Sequence, residues 1–116
     1  RTTGAQAARI TELEKTLKGF SALAQDTRLR TFCLLMKAGP DGLPAGKIAN
    51  TLDVTPNKLT AHLNVLTDAD LLNVERQGRN MIYSVNRDEI ATLMRRFTEN
   101  CCEGAPECAG ELVSEA

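Results

Sequence analysis

Apolar residues return at helical spacing near both ends of the chain. In residues 5–24, Ile10, Leu13, Leu17, Phe20 and Ala24 recur every three or four positions, with Glu12, Glu14, Lys15 and Lys18 between them. This predicts an amphipathic helix. A second such stripe, Ile90, Leu93, Met94, Phe97 and Cys101, predicts a last helix that starts near Arg87 and Asp88. Between them, Asp26 is placed to cap a helix whose stripe is Leu29, Phe32, Cys33 and Met36, ended by Gly39-Pro40-Asp41-Gly42. Leu43 fits a tiny strand, and residues 45–52 fit a short helix. Thr55-Pro56 then has the pattern of an N-cap followed by a first-turn proline, opening a helix to about Asp70 with Leu59, Leu63 and Leu66 inward. Two β-prone runs, Leu72–Arg76 and Met81–Val85, flank Gln77-Gly78-Arg79-Asn80 and predict a hairpin. Gly104, Pro106 and Gly110 punctuate an irregular tail.

The predicted order is ααααββα, mainly α with a small β-hairpin. Two helices joined by a tight turn, the second with a polar outer face, followed by a hairpin carrying Arg, is the order of a winged helix-turn-helix. Composition agrees. At 116 residues the chain has room for one core, and with 3% aromatic residues that core must be built from Leu, Ile, Val, Met and Ala, which suits packed helices. No apolar run approaches the ~18 residues that cross a bilayer, and the first residues carry no run resembling a secretion signal. The expectation is a soluble cytoplasmic protein with no membrane partner.

The formal net charge of −1 is unevenly spread. Between Asp26 and Arg87, Lys and Arg outnumber Asp and Glu by eight to six, whereas residues 99–116 hold five Glu and no basic residue. A mildly basic middle is compatible with a polyanion partner, because counterion release depends on where the cations sit. On a helix lying in the major groove, the first turns meet base edges. Asn57 can pair with adenine, Lys58 can reach guanine or a phosphate, Thr60 offers a hydroxyl and a methyl, and Ala61 leaves room for a thymine methyl. Thr55 at the helix start can contact a phosphate. His62, the one histidine, reads either as a phosphate or sugar contact or as a helix-packing residue. Arg76 and Arg79 flank the hairpin turn and can straddle the backbone or enter the minor groove; the bland alternative is a solvated hairpin.

Ser21-Ala22-Leu23-Ala24-Gln25-Asp26-Thr27-Arg28-Leu29-Arg30, then Ile48-Ala49, Leu59-Thr60-Ala61-His62-Leu63-Asn64-Val65-Leu66, and Gly78-Arg79 to Tyr83-Ser84 closely resemble the ArsR/SmtB family of metal-responsive winged-helix repressors. The resemblance implies a homodimer that binds an operator as an inverted repeat and leaves it when an inducer binds. It also implies dimerisation through the first and last helices, in agreement with their apolar stripes. Residues 1–100 are then the DNA-binding and dimerisation domain, and residues 101–116 a cysteine-containing acidic tail.

Cys101, Cys102 and Cys108 place three soft sulfur donors in eight residues, with Gly104 and Pro106 allowing the chain to fold back. Thiolates without a nearby histidine suit the three-coordination of trivalent arsenic or antimony, whereas structural zinc takes four ligands. No organic cofactor is expected. Two family sites are missing: the arsenic motif at the start of the third helix falls on Pro44 and Gly46, and the zinc site on the last helix lacks its histidines. The Cys-Cys-x5-Cys pattern resembles an arsenite-responsive subgroup, which implies a ligand role for Cys101, Cys102 and Cys108. The bland alternative makes Cys101 a small core residue and the other two incidental thiols. Cys33, on the predicted inner stripe, reads as core. The rival, by resemblance to persulfide- and oxidant-sensing members, pairs Cys33 with Cys101 or Cys102 and leaves Cys108 unexplained. An enzyme is not expected, since Cys101 lies neither in a phosphate-type loop nor in a Cys-x-x-Cys at a helix start. A further alternative is a metal-buffering or partner-binding module that keeps the fold without DNA readout.

Overall fold

A computed structural model describes the backbone of residues 4–101 and the side chains of residues 11–99. The elements run α1 (Gly4–Leu23), α2 (Asp26–Ala38), β1 (Leu43–Pro44), α3 (Ala45–Leu52), α4 (Pro56–Asp68), β2 (Leu72–Gln77), β3 (Asn80–Val85) and α5 (Arg87–Cys101). The expected order holds, including the tiny strand. The antiparallel sheet has the order β1-β3-β2, with Leu43 opposite Tyr83, and Leu72 opposite Val85. Gly42, which leads into β1, has φ of 68°, and a Cβ there would lie 2.3 Å from the Tyr83 carbonyl oxygen. Only glycine lets the chain approach β3 this closely.

The core gathers Leu35 from α2, Ile48 and Ala49 from α3, Leu59, Leu63 and Leu66 from α4, and Leu71, Leu72, Tyr83 and Val85 from the sheet and its approach. On α2 the buried face is Thr31, Phe32 and Leu35; of the predicted stripe Phe32 is buried and Met36 packs partly buried against the core, whereas Leu29 and Cys33 are exposed. A polar residue is buried here without penalty because the Thr31 hydroxyl donates to the Thr27 carbonyl at 2.7 Å. Apolarity alone therefore misplaces part of the stripe. The cap differs too. Gln25 is the N-cap, its Oε1 accepting from the Arg28 backbone N–H at 2.9 Å. Asp26 instead pairs with Arg30 at 2.8 Å, and this hydrogen bond, followed by the carboxylate's charge, raises the guanidinium above its ordinary pKa.

α1 and α5 pack on each other along a narrow seam. Gly19 admits Leu93, whose methyl carbons lie 2.8 Å from where a Cβ would stand. Phe20 and Phe97 meet edge to face at 5.3 Å. Arg96, itself largely covered, reaches Glu12 at 2.8 Å and Glu89 at 3.2 Å. The predicted stripes on these helices are divided by this seam: Leu93 is buried, whereas Leu13, Leu17 and Met94 are exposed. Asn86 then joins α5 to the α4–β2 corner. Its side chain donates to the Asp70 carbonyl at 3.0 Å and accepts from the Glu89 backbone N–H at 3.2 Å.

Candidate nucleic-acid interface

α3 and α4 form the helix-turn-helix. α3 ends with Asp53 in the left-handed region (φ 54°, ψ 51°), the Asp53 N–H donating to Asn50 and the Val54 N–H to the Ala49 carbonyl at 3.0 Å. This is a Schellman-type closure with aspartate where glycine is usual. The chain reverses and re-enters a helix at Thr55-Pro56. Thr55 holds the N-cap position as predicted, and its carbonyl accepts from Leu59 at 3.0 Å, but its hydroxyl makes no capping bond. The first-turn N–H groups of α4 and the Thr55 hydroxyl are thus left to outside partners, and an anion is the partner favoured by a helix start.

With Leu59, Leu63 and Leu66 buried, α4 turns Asn57, Lys58, Thr60, Ala61 and Asn64 outward, all of them exposed. Lys58 is the one charge among these five residues. Thr60 is less versatile than its type suggests, because its hydroxyl proton goes back to the Pro56 carbonyl at 2.9 Å. It offers an acceptor lone pair and a methyl. His62 is half-buried at the edge of this face.

The hairpin alternates. Leu72, Val74 and Arg76 on β2, with Met81, Tyr83 and Val85 on β3, share the core-side face, and Asn73, Glu75 and Gln77 take the other. Arg76 thereby extends the core-side face beyond the core. Its Nε donates to the Gly78 carbonyl at 3.2 Å, so part of its capacity closes its own turn. Of the two central turn residues only Gly78 has positive φ, the type II′ pattern that suits a twisted hairpin. Arg79 beside it is exposed at the tip. The structure thus collects Thr55, Asn57, Lys58, Thr60, Ala61 and His62 on one helix and its entry, and Arg76 and Arg79 on the hairpin.

Sequence reading missed Arg28. Its side chain is half-buried and bonded to His62 across 34 residues of sequence, a link that no local pattern announces. Lys47 and Thr51 on α3 are also exposed polar residues of the helix-turn-helix. The predicted ligands Cys102 and Cys108, and the side chain of Cys101, lie outside the described residues; the Cys101 backbone closes α5.

A family described as a helix-turn-helix domain matches residues 23–75. The arsenical resistance operon repressor of Bacillus subtilis (strain 168) is 32% identical over 90 residues, covering 78% of this chain and 82% of that protein. The chain belongs to the ArsR family of transcriptional regulators. A second relative of this ArsR-family chain, the transcriptional repressor SdpR of the same organism, is 33% identical over 67 residues, covering 58% of this chain and 71% of that one. The fold of the present chain is shared with the homodimeric winged helix-turn-helix DNA-binding domain of a possible ArsR-family regulator from Mycobacterium bovis, at a TM-score of 0.63 and 20% identity, covering 80% and 82% of the two chains. The ArsR-family assignment and the winged helix-turn-helix agree with each other: the matched segment spans α2 to β2.

Proposed function

We propose that the chain is a homodimeric repressor that binds an inverted-repeat operator and leaves it when trivalent arsenic binds the thiolates of Cys101, Cys102 and Cys108. The observation that carries this reading is the Cys-Cys-x5-Cys set that starts at the last residue of α5, in a chain 32% identical to an arsenical resistance operon repressor. Three thiolates without histidine match the coordination preference of As(III) or Sb(III). DNA binding is supported by the exposed polar face of α4, its uncapped first turn, and Arg79 at the hairpin tip. Dimerisation is supported by Leu13, Leu17 and Met94, large apolar residues exposed on the two helices that pack together. Residues 101–116 then act as the inducer tail of a domain formed by residues 1–100. Ligand capture shifts DNA affinity only through differential binding to two subunit arrangements, and a coupling of about 1–3 kcal/mol corresponds to roughly 5–150-fold.

A second reading gains from one observation: Cys33 is exposed on α2, so a thiol read as core is open to chemistry. In that reading a persulfide or oxidant links Cys33 to Cys101 or Cys102. A labelled operator complex titrated with arsenite, methylarsenite, antimonite, zinc and persulfide separates the two. Release by arsenite that is lost in Cys101→Ser and retained in Cys33→Ser supports the first. Retention of DNA at saturating arsenite overturns it, and release by persulfide alone, abolished by Cys33→Ser, establishes the second.

A further inference from the structure

α1 ends at Leu23, leaving the carbonyls of its last turn without intrahelical partners. Arg28, in the first turn of α2, supplies one to the Ala22 carbonyl and approaches that of Ser21, which also accepts from the Ala24 N–H at 3.2 Å. The Arg28 Nε donates to the Ala22 carbonyl at 2.6 Å and its Nη2 approaches the Ser21 carbonyl at 3.5 Å. A cation at this end is also favoured by the helix dipole. The third arm of the same guanidinium, Nη1, lies 3.3 Å from Nδ1 of His62 on α4. One side chain therefore ties the end of α1, the start of α2 and the middle of the recognition helix.

The Arg28–His62 contact fixes more than position. A guanidinium has five N–H donors, no acceptor, and keeps its proton in proteins. In a hydrogen bond across this contact Nδ1 is the acceptor, which places the ring N–H on Nε2. Among the described residues Nε2 has no hydrogen-bond partner, and it is not a buried unsatisfied atom, so it reaches solvent. The result is an oriented N–H donor at the margin of the α4 face that carries Asn57, Lys58 and Ala61.

We infer that Arg28 is a positioning residue for DNA recognition: through His62 Nδ1 it holds the imidazole as an outward Nε2–H donor to a DNA phosphate, and it locks the recognition helix to the end of α1. The inference rests on the DNA-binding reading above. It differs from a direct phosphate contact by Arg28, which would need charge alone. Lysine keeps the charge but has no planar fork to hold a carbonyl and an imidazole together.

The test has two independent arms. In the first, long-range proton–nitrogen spectra of histidine-labelled protein in mildly alkaline buffer report the His62 tautomer without DNA. The unaltered protein is expected to show an accepting Nδ1 and a protonated Nε2, and Arg28→Lys and Arg28→Met a mixture of tautomers. An Nδ1–H signal, or variants with an unchanged spectrum, overturns the inference. The second arm measures binding to a labelled duplex selected by the unaltered protein from a random pool. Both Arg28 variants are expected to bind roughly ten-fold more weakly, with the dependence on salt preserved. His62→Gln, which keeps an N–H donor, should bind better than His62→Ala. Adding Arg28→Met to His62→Ala should cost no more than about two-fold, since the two residues act as one unit. Full affinity in Arg28→Lys, or losses that multiply, overturns the inference. If Arg28→Met does not fold, Arg28→Lys decides both arms. If the unaltered protein selects no duplex, the DNA-binding reading itself fails, while the spectra still show whether Arg28 sets the ring.

Discussion

α4 and α1 are both amphipathic, and they complete their packing differently. α4 buries Leu59, Leu63 and Leu66 within the chain and leaves outside a face that is polar apart from Ala61 and Val65. Among its described side chains, residues 11–23, α1 buries Thr16, Gly19 and Ala22 against its neighbours, with Phe20 partly covered, and leaves Leu17 69% exposed and Leu13 48% exposed. α5 repeats the asymmetry, with Leu93 at 1% beside Met94 at 49%. The helix-turn-helix half thus has a closed core of its own, with Leu29, Val65, Val74 and Met81 exposed singly on four different elements. The α1–α5 half instead brings Leu13, Leu17 and Met94, Leu17 the most exposed of them all, onto two helices packed together, apolar surface that water must solvate unless another surface covers it. The unit that presents side chains to DNA is held by its own core. The unit next to the proposed inducer tail is held by a seam, and a seam is easier to re-set.

The largest effect that tests this contrast comes from removing one buried leucine on the complete side. Leu63→Ala should lower unfolding stability by about 2–5 kcal/mol, read from urea denaturation. Leu17→Glu on the incomplete side should change the stability of the isolated subunit by only about 0.5 kcal/mol, while sedimentation shows the dimer weakened. Similar losses of stability in both variants, with no change of assembly, would remove the distinction.

Much of the complete half was legible in the sequence. Leu59, Leu63 and Leu66 lie at unbroken helical spacing, Thr55-Pro56 marks the entry, and the glycine of Gly78-Arg79 marks the hairpin turn, because each is a local signal with a local cause. The seam was not legible in the same way. Ile10, Leu13, Leu17 and Phe20 read as one stripe, but what α1 buries depends on Gly19, whose missing side chain admits Leu93, and periodicity gives no weight to an absent side chain. Thr31 misled for a related reason: its hydroxyl is satisfied within α2, so it enters the core in place of Leu29 and Cys33. On the interface, residue types were readable but commitments were not. The Thr60 hydroxyl and the Arg76 guanidinium already have partners, and Arg28 meets His62 only in three dimensions.

A medium effect is expected at the seam. Gly19→Ala gains about 1 kcal/mol of helix propensity but forces the Leu93 methyls aside, an overpacking cost of about 1–3 kcal/mol. Leu93 is buried and cannot swing into solvent, so α1 and α5 must separate. Stability should fall by about 1 kcal/mol in thermal unfolding, and the sharper expectation is a changed arsenite dose for DNA release. An unchanged dose alongside lower stability would mean that the seam does not carry the inducer response.

The smallest effect belongs to the turn of the helix-turn-helix. Asp53 holds a left-handed conformation that costs most residues about 1 kcal/mol and glycine nothing. Against that, Asp53→Gly widens the freedom of the unfolded chain, worth roughly 0.4–1 kcal/mol. Charge does not decide the balance. The carboxylate follows the negative end of α3 and precedes the positive end of α4, so its two helix-dipole interactions oppose each other. Relief of strain and added freedom then leave Asp53→Gly within about 0.5 kcal/mol of the unaltered protein on the stabilising side. Asp53→Asn, which removes the charge and retains tolerance of the left-handed region, should leave stability unchanged. A clear gain in Asp53→Asn would show that the carboxylate is held against electrostatic cost. Its place would then be explained by what it repels at the DNA surface, and duplex binding by Asp53→Asn would be expected to lose selectivity rather than affinity.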